Sequence, residues 1–272
     1  MKMTGNTILI TGGTSGIGLE LATQLSQRKN TIIVTGRDSA KLQELRKRFP
    51  MLHTYQSDVS DPEAIPILYQ NVTKDFPSLN VVINNAGVMR MLGLNGKNGL
   101  HDIGQEIEIN LLGPIRMVEQ FLPYLKTKPE AAIINVSSGL AFVPLASAPI
   151  YCATKAGIHS YTQSLRVQLQ GTSVNVFEVA PPSTSTPLMD TFGSDAFNRN
   201  SQGVMKVDKM VSVVLKGLER GTYEIRPGIS NVLKLMSRLA PKFMLAQLSR
   251  PVAEELAKAQ RKEEVHAESM RS

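Results

Sequence analysis

The stretch that decides the fold is T-I-L-I-T-G-G-T-S-G-I-G, residues 7–18. It reads as a short apolar strand that leads directly into a glycine-rich turn, and residues 19–25 have helical character. Such glycines let the backbone approach a pyrophosphate, whose charge then faces amide N–H groups at the start of the helix. The stretch therefore predicts a dinucleotide site. Its binding residues are expected to be Gly12, Thr14, Ser15, Gly16, Ile17 and Gly18.

Short apolar runs alternate with helix-length segments along the rest of the chain. Strands are predicted at residues 7–10, 31–34, 52–56, 81–83, 131–136, 174–179 and 223–225. Continuous Ile and Val runs separated by helices are typical of a parallel sheet covered on both faces, with right-handed crossovers. The predicted fold class is therefore α/β, a Rossmann-type doubly wound sheet of about seven strands. No linker divides the 272 residues, so one domain is expected.

Composition excludes several classes of protein. The net charge of +7 permits binding to the phosphates of a cofactor, a nucleic acid or an anionic membrane. No nucleic-acid recognition motif or aromatic platform is present, so nucleic-acid binding is not expected. One cysteine and four scattered histidines provide neither an internal disulfide nor a metal cluster. Without an apolar run of about 18 residues or a signal-peptide core, the protein is expected to be cytoplasmic.

The end of the second predicted strand, Val34-Thr35-Gly36-Arg37, indicates which cofactor is bound. An NAD site usually offers a carboxylate to the ribose 2′-hydroxyl at this place. Here Gly36 stands where the acid would be, and Arg37 can accept a 2′-phosphate through charge-assisted hydrogen bonds. NADP(H) is predicted, and the neighbouring Asp38 leaves NAD(H) as the less favoured alternative. Further cofactor contacts are expected at two other strand ends, from Asp58, Val59, Asn85, Ala86 and Gly87.

Two helix starts are also predicted. Ser39 is the expected N-cap of a helix at residues 41–49. The sequence Ser60-Asp61-Pro62-Glu63 predicts a capping box with an early proline at the start of the next helix.

Tyr151 and Lys155 are four residues apart, so they lie on one face of a helix. A cation about 4 Å from the phenol, at an effective dielectric near 20, supplies about 4 kcal/mol, or roughly three pKa units. The pair therefore predicts a tyrosine with a lowered pKa that exchanges protons near neutral pH. Tyr124 and Lys128 have the same spacing, but they lack the buried strand that ends in hydroxyls thirteen residues before Tyr151. Tyr124 and Lys128 are therefore assigned to the solvated end of a helix.

Residues 11–18 and 84–87, together with Asn110, Ser138, Tyr151 and Lys155, resemble the short-chain dehydrogenase/reductase family over about residues 5–190. The resemblance implies the strand order 3-2-1-4-5-6-7. It implies that Ser138 polarises a carbonyl and Tyr151 is the acid/base. Lys155 would lower the pKa of Tyr151 and hold the nicotinamide ribose, to which Tyr151 also binds, and Asn110 would anchor a proton-relay water. Ser138 is preferred over Ser137 because strand neighbours point to opposite faces.

The resemblance also implies an oxidoreductase that transfers a hydride between a nicotinamide cofactor and a small-molecule carbonyl or alcohol. It further implies a homo-dimer or homo-tetramer. The alternative is a non-catalytic cofactor-binding sensor or scaffold of the same fold, which has no need to keep all four residues of the catalytic set.

One departure from the family pattern follows the sixth strand. The family usually has Pro-Gly and then a threonine, whereas this chain reads A-P-P-S-T-S-T at residues 180–186. Pro182 has a fixed φ and no N–H, which leaves the contacts to the nicotinamide open, with Thr184 and Thr186 as candidates. This variant and residues 137–144, 151–155 and 223–228 are similar to the DltE group of bacterial oxidoreductases. That group is named for an association with D-alanylation of lipoteichoic acid.

Substrate specificity is expected to come from residues 140–150 and from a substrate loop at about 183–205. Both segments are largely apolar, which predicts a hydrophobic or medium-sized carbonyl substrate. The apolar side chains are Phe142, Val143, Pro144, Leu145, Leu188, Met189 and Phe192. A basic helical extension is expected at about 228–272. It either packs on the body or on a sister subunit, or makes peripheral contact with an anionic membrane.

Overall fold

The computed structural model describes residues 2–92, 100–192, 203–250 and Glu254. Seven parallel strands form one sheet in the order β3-β2-β1-β4-β5-β6-β7, so the predicted fold class and strand order are confirmed. Every strand ends within two residues of its predicted bounds. The strands are β1 (Thr7–Thr11), β2 (Thr31–Gly36), β3 (Leu52–Gln56), β4 (Leu79–Asn84), β5 (Ala131–Val136), β6 (Val174–Val179) and β7 (Glu224–Ile225).

Helices cover both faces of the sheet. They are α1 (Gly16–Ser26), α2 (Ser39–Arg48), α3 (Ala64–Asp75), α4 (Leu100–Ile107), α5 (Gly113–Leu125), α6 (Pro149–Gln168), α7 (Val207–Glu219) and α8 (Ser230–Leu239). Residues 241–250 are also helical. Among the described residues, no helix has the length and apolar character needed to cross a bilayer.

The buried strands face two apolar layers. Ile8 and Ile10 of β1 point into the layer that contains Phe177, whereas Leu9 between them points into the layer of Phe121. All five side chains are almost completely buried. Alternation along a strand sends neighbours to opposite faces, and each face here meets helices. The continuous apolar runs of the sequence are explained by this double coverage.

Helix α2 begins two residues earlier than predicted, and its cap is different. The Asp38 carboxylate, rather than the Ser39 hydroxyl, accepts a hydrogen bond from the Lys41 backbone N–H at 3.1 Å. Ser39 is the first residue of the helix. Because Asp38 satisfies an N–H that the helix leaves without an internal partner, its carboxylate is committed to the fold.

The predicted capping box at residues 60–63 is wrong, because α3 begins at Ala64 with no side-chain cap. Two aspartates form turns of their own instead. Asp58 accepts from the backbone N–H and hydroxyl of Ser60 at 2.9 and 2.7 Å, and Asp61 accepts from the Glu63 N–H at 2.9 Å. Aspartate side chains compete for the N–H two residues on, and here that local turn replaces the box.

A buried row of polar side chains crosses the centre of the sheet. Asn84 of β4 and Asn135 of β5 are register partners, and the Asn84 amide donates to the Asn135 side-chain oxygen at 2.8 Å. Asn135 donates to the Thr162 hydroxyl of α6 at 2.9 Å, and Thr162 donates to the Ile158 carbonyl at 2.6 Å. These bonds join two strands to the helix that carries Tyr151.

Candidate active site

The carboxyl ends of the central strands surround a cavity of about 690 Å³. This volume falls in the range of cofactor and small-molecule sites. The structure brings nearly all of the predicted site residues to its wall. They are Gly12, Thr14, Ser15, Gly16, Ile17, Arg37, Asp58, Val59, Asn85, Ala86, Gly87, Ser138, Tyr151, Lys155, Thr184 and Thr186. Gly18 and Asn110 are not among the lining residues.

The glycine turn at the end of β1 is held against the end of β4. Gly12 has φ +65°, and a Cβ there would lie 2.7 Å from the Ala86 Cα, so both conformation and space require glycine. Thr11 accepts from the Ala86 N–H at 3.1 Å, and the Asn85 amide donates to the Thr11 and Gly12 carbonyls at 3.0 and 3.1 Å. Asn85 therefore fixes the turn with its amide group.

Gly18 lies behind the turn. A Cβ there would lie 2.4 Å from the Gly12 carbonyl oxygen, so the glycine lets α1 pack closely on the turn. Gly18 does not line the cavity, and its cofactor contact stays a prediction. At the start of α1, Ser15 lines the cavity but makes no side-chain capping bond. The first-turn N–H groups thus meet the cavity without a side-chain acceptor, as an anion-binding helix terminus requires.

The far end of the cavity is formed by the end of β2. Gly36 and the exposed Arg37 both line it. The Arg37 carbonyl accepts from the Gln56 side chain at 3.0 Å, which ties this end to β3. Since Asp38 caps α2, the cation is presented to the cavity while the neighbouring acid is engaged. These residues suit a 2′-phosphate better than a free 2′-hydroxyl.

Helix α6 and the end of β5 bring the three central polar groups together. Tyr151, Lys155 and Ser138 are all buried and line the cavity. The Lys155 ammonium donates to the Val136 carbonyl at 2.9 Å and lies 5.6 Å from the centre of the Tyr151 ring. The Ser138 hydroxyl accepts from the Leu140 N–H at 3.1 Å. By contrast, the Ser137 hydroxyl donates to the buried Glu178 carboxylate.

The predicted lowering of the Tyr151 pKa is wrong for this structure. Burial raises the pKa of Tyr151 from 10 to about 12, and the hydrogen bond with Ser138 opposes this rise without cancelling it. Burial also lowers the pKa of Lys155 from 10.5 to about 8, against an opposing effect of Glu106. Spacing on a helix gives the approach of the two groups but not their loss of solvent, and desolvation penalises both charged forms.

Asn110 lies in a π-helical turn, Glu108–Leu112, between α4 and α5. Its side-chain oxygen accepts from the Val88 N–H at 2.9 Å, and its amide donates to the Val88 carbonyl at 2.8 Å. Pro114, four residues on, has no N–H to donate to the Asn110 carbonyl. The side chain therefore holds the segment that follows β4 in place, and the role of Asn110 in a proton relay stays a prediction.

The substrate side of the cavity is apolar. Tyr151 packs in a buried cluster with Met89, Leu145, Ala148 and Cys152, and Leu140, Leu188 and Leu248 pack against it. Cys152 is buried and contacts the Leu145 backbone, as expected for a small apolar residue. Burial raises the pKa of the Cys152 thiol. The side chain of Phe192, one of the predicted apolar residues, lies outside the described part of the chain. So do residues 193–202 of the predicted substrate loop.

The Pro181-Pro182 pair lies where the chain passes the cavity, and hydrogen bonds to its carbonyl groups hold it in place. Both prolines are buried, and the Pro181 carbonyl accepts from the Gly139 N–H at 2.8 Å. The Thr184 hydroxyl donates to the Pro182 carbonyl at 2.8 Å, and Thr184 pairs with Met205 in an isolated parallel bridge. Thr184 and Thr186 are thus buried at the cavity wall, and their contacts to the nicotinamide stay a prediction.

Tyr124 and Lys128 lie far from the cavity wall. Helix α5 ends at Leu125, so the two residues do not share a helix. Both donate to the Pro77 carbonyl, at 2.8 and 2.7 Å, beyond the opposite ends of the strands. The equal spacing of the two Tyr–Lys pairs therefore does not indicate equal surroundings.

The sequence analysis missed two sets of residues. Glu106 is completely buried, and its charge acts on both Tyr151 and Lys155. Burial raises the pKa of Glu106, and Arg90 and Lys155 oppose the rise. Its signal in the sequence was an acid one turn before Asn110 on the same helical face. The second set is the C-terminal wall of the cavity, formed by Ile229, Leu233 and Leu248.

Comparison with known proteins identifies the family of this chain. The family model for short chain dehydrogenases matches residues 6–197. The chain is 45% identical over 230 residues to the uncharacterized oxidoreductase DltE of Bacillus subtilis, covering 83% of this chain and 89% of that protein. This similarity confirms the resemblance to the DltE group.

Two solved structures have the same fold. A short chain dehydrogenase from Burkholderia cenocepacia in complex with NADP is 25% identical, with a TM-score of 0.78, and the match covers 91% of this chain and 99% of that one. A short-chain dehydrogenase from Sphingobium yanoikuyae in complex with NADPH is 27% identical, with a TM-score of 0.75 and coverage of 82% and 88%. The chain therefore belongs to the short-chain dehydrogenase/reductase family.

Proposed function

We propose that this protein is an NADP(H)-dependent oxidoreductase that interconverts a carbonyl and an alcohol, with Tyr151 as the acid/base. The observation that carries the proposal is the position of Ser138, Tyr151 and Lys155 in the same cavity as the glycine turn and Arg37. One solved relative is in complex with NADP and another with NADPH, which supports the choice of cofactor. When bound, the nicotinamide supplies or accepts the hydride.

The residues of the cavity divide the remaining work. The start of α1 faces the pyrophosphate, and Arg37 pairs with the 2′-phosphate. Lys155, held by the Val136 carbonyl, contacts the nicotinamide ribose. The Ser138 hydroxyl donates a hydrogen bond to the substrate oxygen, and Tyr151 gives a proton to the same oxygen. Burial raises the Tyr151 pKa to about 12, so the phenol carries a proton at neutral pH that it can give to a carbonyl oxygen.

The walls of the cavity support an apolar substrate. Met89, Leu145 and Leu188 pack around Tyr151, and together with Met189 they line the cavity. Burying a small charged substrate against them would cost its solvation without a compensating partner. A hydrophobic or medium-sized ketone or aldehyde is therefore expected. Turnover confined to small charged keto acids would contradict this substrate class.

The cellular setting belongs to the same proposal. We expect a cytoplasmic protein and, as the family resemblance implies, a homo-dimer or homo-tetramer. Light scattering on the purified protein checks the oligomeric state. The alternative function, a sensor or scaffold without turnover, would keep cofactor binding and lose the need for the Ser138, Tyr151 and Lys155 arrangement.

Fluorescence titration with NADPH and NADH, followed by a panel of carbonyls, tests the proposal. Tyr151→Phe keeps the ring and removes the proton, so turnover is expected to fall about 10²- to 10⁴-fold while cofactor affinity stays within about 3-fold. Tyr124→Phe is the matched control, since it removes a phenol at the same spacing from a lysine, and its activity is expected to be unchanged. Undiminished turnover in Tyr151→Phe would overturn the assignment.

A further inference from the structure

Exposed apolar side chains are concentrated in the C-terminal segment. Twelve large hydrophobic residues are exposed in the described part of the chain, and six of them lie between residues 229 and 245. Three of these form the surface that we name the outer face. It consists of Val232, Leu235 and Leu239, each between 52% and 71% exposed. Exposed apolar groups that cluster in this way usually mark a binding surface.

The orientation of α8 keeps this face outward. Val232, Leu235 and Leu239 are at positions i, i+3 and i+7, so they share one side of the helix. On another side of the helix, Leu233 is buried against Gly139. A Cβ added to Gly139 would lie 3.1 Å from a methyl carbon of Leu233. The Lys234 ammonium contacts both oxygens of the Glu224 carboxylate in β7. These inner contacts prevent the helix from rolling its apolar side onto the protein.

The charge around the outer face is of one sign. Residues 226–250 contain five basic residues and no acidic one. Lys234 and Arg226 are engaged with Glu224, and Arg250 pairs with Glu254. Arg238 and Lys242 are exposed, and neither forms an ion pair within the described residues. A two-fold contact between copies of this face would bring like charges together, whereas an anionic surface complements them.

We propose that the outer face docks on an anionic lipid bilayer. Apolar side chains enter the headgroup boundary while Arg238 and Lys242 meet lipid phosphates, as in amphipathic helices that lie in the membrane plane. The same C-terminal segment lines the cavity through Ile229, Leu233 and Leu248. Docking therefore places the wall of the cavity beside the membrane, where an apolar substrate is concentrated.

Vesicle flotation of the full chain tests this docking and needs no turnover, so it stays informative even if the proposed reductase activity is absent. Binding to phosphatidylglycerol-containing vesicles is expected at about 50 mM salt and is expected to weaken at least about 10-fold at about 500 mM. Vesicles of phosphatidylcholine alone are expected to bind weakly. Replacing Arg238 and Lys242 by glutamine should cost about 30-fold, since each cation near the surface contributes roughly 5-fold.

A matched pair of variants separates the face from general hydrophobicity. Leu235→Gln with Leu239→Gln is expected to reduce binding at least about 10-fold. Ile67→Gln with Val167→Gln removes two residues of similar exposure, 59% and 64%, and is expected to change binding less than about 2-fold. Circular dichroism confirms that each variant folds.

Two outcomes would overturn the docking proposal. One is the absence of full-chain binding to anionic vesicles at low salt. The other is a leucine variant that leaves vesicle binding unchanged but converts a dimer to a monomer in light scattering, since a second copy of the chain would then cover the face.

Discussion

Replacing Arg37 by alanine is expected to weaken NADPH binding about 10- to 30-fold and NADH binding less than about 2-fold. A guanidinium–phosphate hydrogen bond contributes about 1.5–3 kcal/mol, and exposure to solvent places Arg37 near the lower end of that range. Gly36 offers no side chain to compensate. The Asp38 carboxylate accepts from the Lys41 N–H, and this bond competes with a contact to the ribose of NADH.

The assay is a fluorescence titration of each cofactor at low and high salt. Lys41→Ala is the matched control, because it removes a cation that is 67% exposed, close in sequence, and absent from the cavity wall. We expect it to change the affinity for either cofactor less than about 2-fold. The selectivity of the wild type for NADPH should also decrease with salt. Equal weakening of both cofactors in Arg37→Ala would refute the assignment of the 2′-phosphate to this end of the cavity.

Three further changes test other parts of the site. Gly18→Ala places a methyl group against the Gly12 carbonyl, so we expect about 1–3 kcal/mol of destabilisation in thermal unfolding and weaker cofactor binding; unchanged melting would contradict the close packing. Asn110→Ala removes both bonds to the chain after β4, and we expect loss of turnover with a smaller effect on cofactor affinity, measured by titration. Without cofactor, the free energy of unfolding should rise between pH 8 and 10, because Lys155 in the unfolded chain still binds a proton that the folded form has released. It should fall above pH 10, because Tyr151 ionises in the unfolded chain while the folded phenol, with a pKa of about 12, does not. Lys155→Met should remove the rise, which amounts to at most about 3 kcal/mol in urea unfolding.

The fold could be read from the sequence because its signals are local. Most strands are short apolar runs, and alternation with helices leaves few topologies for a parallel sheet. Helix starts were less predictable, since Asp38 and Asp61 accept the backbone N–H groups of Lys41 and Glu63, which Ser39 and Ser60 would accept as caps. Which side chain accepts such an N–H depends on the path of the backbone just before the helix begins.

The cavity was predictable in its members more than in its electrostatics. Motif order identified the residues that line it, but the pKa of Tyr151 depends on how much solvent the apolar cluster removes. That depends on Met89, Leu188 and Leu248, which lie far apart in the chain. Glu106 and the C-terminal wall were missed for the same reason, because neither belongs to a motif and both reach the site through tertiary packing.

The Asn84–Asn135 pair has a consequence beyond its two strands. Both faces of this sheet meet apolar layers, so its apolar pattern distinguishes one strand register from the next less sharply than a pattern with one polar face would. A shift of one residue would separate the two amides and leave buried polar groups without partners. Asn85 follows one of these strands and Ser138 follows the other. The pair therefore fixes the register of β4 against β5. In this way it sets the distance between the nucleotide-binding part and the catalytic part of the cavity even without a ligand.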